Sequence, residues 1–153
     1  MVPTARFCWQ TALAMEASTS WAVCDSDPLK LHYLWCLRQI GEASTNDWLT
    51  ELDATRDTVA QGRIGFADAY IVGAIDPQLA RQRALADTTR RRSNFELHVR
   101  LQQALLSWYA AIEQVLPGSV QVGFPAKMPA VQPRDDRYSL AAFDRMIALL
   151  PGK

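Results

Sequence analysis

The chain has 153 residues, no formal net charge at pH 7, 49% apolar and 21% charged side chains. That length is enough for one domain with its own core, without metal or disulfide staples. The composition excludes a disordered chain, which needs low hydrophobicity and high net charge, and no run approaches the ~20 apolar residues that span a bilayer.

The first predicted helix covers 4–20, with Thr4 as N-cap after Pro3 and with Cys8, Ala12 and Met15 on one face, Trp9 at its edge. The second is predicted over 28–40. Asp27 can cap it, Pro28 takes the first helical position and Gly41 follows the last turn, the usual Pro-in, Gly-out asymmetry. Leu29, Leu31, Leu34, Trp35, Leu37 and Ile40 surround most of its circumference, so it is expected at the centre of the fold. A third helix, 46–60, repeats Trp48, Leu52, Thr55 and Val59 at helical spacing, and Gly62 stops it. Residues 65–75 are ambiguous because of Gly65 and Gly73; length and flanking helices favour helix.

Asp76-Pro77 restarts the chain as a capped helix to about Thr89, with a thin stripe of Leu79, Ala80, Ala84 and Leu85. Ser93-Asn94-Phe95-Glu96 reads as a capping box. It opens the longest helix, 94–116, whose stripe includes Leu97, Leu101, Leu105, Trp108, Ile112 and Val115. Residues 117–139 hold four prolines and two glycines; SVQVGF alternates like a short strand and the rest reads as a long loop. Ser139 caps a last helix with Phe143, Met146, Ile147 and Leu150 facing inward. The expectation is an all-α single-domain bundle of six or seven helices spanning 1–153, with a Pro-rich loop before the last helix.

Charge is unevenly spread. Residues 1–80 carry five basic and ten acidic groups, residues 81–100 six and two, residues 101–153 five and four. Arg90, Arg91 and Arg92 sit side by side at the predicted end of one helix, where cations favour exposed carbonyls. Arg83–Asp87, Asp87–Arg91 and Glu96–Arg100 are i,i+4 neighbours that can pair within a helix. The same arginines could instead face an acidic partner, a second copy of the chain through its acidic third helix, or phosphates. The neutral whole and the long apolar helix behind the triplet argue against a DNA-reading helix-turn-helix.

Three cysteines, Cys8, Cys24 and Cys36, form no C-x-x-C pair and point to a reducing compartment. His32 and Cys36 share a helix face, but C-x7-H-x3-C matches no zinc spacing, and no metal or cofactor is expected. Gln10, Thr11 and Glu16 interrupt the short semi-apolar run at the N-terminus and no A-x-A cleavage site follows it, which predicts a cytoplasmic chain. Thirteen arginines against three lysines, with abundant alanine, suit a GC-rich bacterial genome. No nucleophile elbow, P-loop, dinucleotide fingerprint or H-E-x-x-H occurs, so an enzyme is disfavoured; it would need His32 or His98 beside a carboxylate or thiol in a cleft. The reading that remains is a small binding module of accessory, adaptor or immunity type. Its expected partner-binding residues are Arg81, Arg83, Arg90, Arg91, Arg92, Phe124 and Met128. The alternatives are a nucleic-acid-associated protein using the Arg81–Arg100 surface, and a small enzyme or ligand-binding bundle.

Overall fold

The computed structural model describes residues 1–87, 89, 94–127 and 130–152. Six helices and two short strands run in the order α1 (Val2–Thr19), α2 (Leu31–Gln39), α3 (Thr45–Ala60), β1 (Tyr70–Val72), α4 (Pro77–Ala86), α5 (Phe95–Val115), β2 (Val120–Val122) and α6 (Leu140–Leu149). Helix accounts for 58% and strand for 4% of the described residues. None of these helices is long and apolar enough to cross a membrane.

The long amphipathic α5 packs on α2 and α6, while α3 joins α2, α6 and α1. Trp35, Trp108, Phe143, Ile112 and Met146 are fully buried where these helices meet. Leu34 packs against that core, as the all-round apolar pattern of α2 requires. Three helix starts follow local side-chain chemistry. Ser44 Oγ accepts from the Asp47 amide, Asp76 Oδ1 from the amides of Gln78 and Leu79, and Ser139 Oγ from the Ala142 amide.

The structure corrects several expectations. Helix α1 begins at Val2 with Met1, not Thr4, at the N-cap. Its buried face is Ala5 and Trp9, with Leu13 packed behind them, whereas Met15 is exposed. Asp27 does cap, but it closes a turn at 27–30, accepting from the Leu29 amide at 2.8 Å; α2 proper starts at Leu31 after Lys30 adopts φ 58°. Residues 65–75 are not helical. They run as a loop into β1, which pairs in parallel with β2 in the register Tyr70↔Val120, Ile71↔Gln121 and Val72↔Val122. The fold is mostly helical, as expected, with a small parallel sheet whose crossover contains α4 and α5. Helix α4 ends at Ala86, short of Thr89.

The start of α5 also differs. Asn94 is the N-cap in left-handed conformation without a side-chain cap bond, and the Glu96 carboxylate engages Arg81. Ser93, the other member of the expected capping box, lies outside the described residues.

Candidate functional site

A cavity of about 550 Å³ opens between α1, the 20–28 segment, the 67–71 run into β1 and the loop after β2. Five aromatic side chains contribute to its walls, Trp9, Trp21, Tyr70, Tyr109 and Phe124. Trp9 is held by its indole N–H, which donates to the Tyr138 hydroxyl at 3.2 Å, with the two rings edge to face. Tyr70 and Tyr109 meet with ring centroids 5.5 Å apart. Burial beside Asp27 raises the pKa of both phenols, so neither ionises near neutrality.

Asp27 lines this cavity and is only 2% exposed. Its Oδ1 accepts from Leu29 N and its Oδ2 from the Trp108 indole at 3.0 Å. A second acidic group spans the mouth. The Arg137 guanidinium donates to both oxygens of Glu16 on α1 and to both oxygens of Asp68 before β1. Those hydrogen bonds raise the Arg137 pKa further, so the guanidinium is a fixed charge. Asp68 also accepts from the Arg134 amide at 2.7 Å, and the Phe66 amide donates to the Arg137 carbonyl at 2.8 Å. The loop after β2 is thus stitched to the loop before β1. Gly65 is required there, because a Cβ would stand 2.4 Å from the Arg137 carbonyl oxygen.

A second depression of about 310 Å³ adjoins the first across residues 22–26. Phe7, Cys8, Met15, Val23 and Cys24 contribute to it. Around the two openings large apolar side chains face solvent: Phe7 is 70% exposed, Trp21 60%, Val23 67% and Phe124 85%.

Of the described residues expected at a partner surface, Phe124 lines the larger cavity. Arg81 makes a bidentate pair with Glu96, Nε at 3.0 Å and Nη2 at 2.9 Å. Arg83 is exposed on α4. Arg90, Arg91, Arg92 and Met128 lie outside the described residues. Arg100 pairs with Glu42 and the Ile40 carbonyl rather than with Glu96. Trp21, Val23 and Asp27 were not expected at a site, because the sequence around them reads only as a linker and a helix cap.

Among the described residues no three His, Cys, Asp or Glu side chains gather as a metal cluster. Cys36 is buried, and burial pushes its thiol up to about 12, far from a ready thiolate. His32 lies against the rings of Trp108 and Tyr109, its Nδ1 buried without a partner, and burial lowers its pKa although nearby Asp27 opposes this. His98 meets the edge of Tyr33. The chain matches no protein-family model, no curated protein and no solved structure.

Proposed function

We propose that the protein is a small binding module that works by contact with a protein partner, in a reducing cytoplasm where its three thiols stay free. One observation carries this reading. Phe7, Trp21, Val23 and Phe124 expose large apolar surfaces around two adjoining depressions. Clustered exposure of this kind costs free energy in a monomer and marks contact surfaces. Tryptophan and other aromatics also supply much of the affinity where proteins meet. The occupant is a chain segment whose apolar side chains cover Phe7, Trp21, Val23 and Phe124 around the depressions.

Arg83 stays in the proposal as an exposed positive charge on α4. Arg90, Arg91, Arg92 and Met128 are outside the described residues, and the contact surface is built without them. A phosphate-binding role for the basic stretch is weakened by Arg81 and Arg100, whose guanidinium groups already hold Glu96 and Glu42.

The test is capture of partners from the native cell at moderate salt, with nuclease present, using wild-type chain beside Trp21→Ser and Phe124→Ser. The expected result is a partner retained by wild type and depleted at least tenfold with either variant. Retention unaffected by both changes, or lost on nuclease treatment, overturns the reading. Self-association of the bait in sedimentation that disappears in the same variants identifies the partner as a second copy.

A further inference from the structure

We infer that the cavity above Asp27 is a receptor for an organic cation on an apolar stem and, resting on the protein contact proposed above, that the partner supplies it as an arginine or lysine side chain. The first ground is charge. The cavity lining holds four carboxylates, Glu16, Asp25, Asp27 and Asp68, against one guanidinium, Arg137. Arg137 is shared between Glu16 and Asp68, so it is fully engaged and leaves Asp27 and Asp25 uncompensated within the lining. Lys30 lines the neighbouring depression, where its Nζ donates to Ser26 Oγ.

The second ground is the wall chemistry. The faces of Trp9, Trp21, Tyr70 and Tyr109 carry the negative side of an aromatic quadrupole, which attracts ammonium and guanidinium groups and disfavours anions. Leu13 and Ile71 add surface for a hydrocarbon stem. The third ground is unused acceptor capacity. Each Asp27 oxygen takes one donor from the protein, and a carboxylate oxygen offers two lone pairs. A volume of about 550 Å³ lies within the range of small-ligand pockets.

The test follows the indole N–H signals of Trp9 and Trp21 by NMR during titration with 2-phenylethylammonium, 2-phenylethanol and phenylacetate. The ammonium is expected to saturate at least tenfold tighter than the alcohol, with phenylacetate weakest. Asp27→Asn should remove most of that preference while leaving the alcohol unchanged. Should Asp27→Asn not fold, Asp25→Asn at the exposed rim is expected to weaken the ammonium two- to threefold and leave the alcohol alone. A parallel titration compares the capped tripeptide Leu-Arg-Leu with its citrulline analogue. If the ammonium binds and the arginine peptide does not, the protein contact falls and the cavity stands as a site for a free amine. If the alcohol binds as tightly as the ammonium, or neither saturates, the cavity assignment is overturned, whatever partner capture shows.

Discussion

The Trp108 indole donates to Asp27 across 81 residues of chain, and both side chains are buried. This bond ties the centre of α5 to the turn that precedes α2, and it holds the cavity floor in place. Asp27 receives the Leu29 amide on its other oxygen, so a carboxylate serves two donors that point from opposite sides. Asparagine can present only one acceptor atom and must turn its NH2 toward the second donor. Asp27→Asn is therefore expected to cost about 1–3 kcal/mol, the range for leaving a buried donor unpaired. Trp108→Phe should cost a similar amount, and the double variant less than the two together. Urea unfolding of all four proteins measures the coupling.

Gly65 meets the backbone of the loop after β2 so closely that alanine has no room. The clash is with a carbonyl, which cannot swing aside like a side-chain tip, and that carbonyl also accepts the Phe66 amide. Gly65→Ala is expected to lose about 1–3 kcal/mol. Gly73→Ala serves as the comparison, because its added Cβ would sit 3.6 Å from the Phe124 ring, an ordinary contact. Thermal melts should show a clear drop for the first and little change for the second.

What was legible in the sequence is what depends on neighbours in the chain. Asp76 and Ser139 cap helices by reaching amides two or three residues away, so their roles could be read directly. The apolar stripe of α5 was equally plain. The segment 65–75 was misjudged because its strand character rests on a partner fifty residues later; only Tyr70 and Val72, buried on either side of Ile71, carry a period of two. The buried face of α1 was misplaced because it contains a charge. Glu16 turns inward to meet Arg137, 121 residues away, and that breaks the apolar spacing. The cavity joins four separated stretches of chain, so no local pattern announces it. Arg81 on α4 likewise finds Glu96 on α5.

Helix α4 is the most weakly anchored helix, with Ala80 its one buried residue, and Leu85 almost wholly exposed. Its start depends on Asp76, which satisfies two amides at 2.9 Å. Asp76→Ala is expected to cost about 1 kcal/mol locally. Because α4 can open without the core, the change should appear as amide exchange roughly fivefold faster within Ala80–Ala86. Amides around Trp108 and Ile112 in α5 should exchange at their original rates. Equal acceleration in both helices would mean that α4 and the core open as one unit.

His32 gives the stability a pH dependence of definite sign. Burial and the Lys30 charge disfavour its imidazolium, Asp27 favours it, and the balance leaves the folded pKa below 6.5. Below that value the unfolded chain takes up a proton that the folded chain refuses, so stability falls as pH falls through the interval between the two values. Stability is therefore expected to decline between pH 7 and pH 5.5. Glu96, Asp136 and Asp144 act in a different window. Their pairing with Arg81, Arg134 and Arg56 lowers their pKa values from 4.5, 3.8 and 3.8, so their contributions persist until more acid conditions. His32→Leu removes the titrating group and fills the space against Trp108 and Tyr109 with hydrocarbon. Urea midpoints for this variant should be flat from pH 7 to pH 5.5 while those of the wild type decline. A wild-type curve already flat in that interval, or a variant curve with the same slope, would show that the imidazole is not the group responsible.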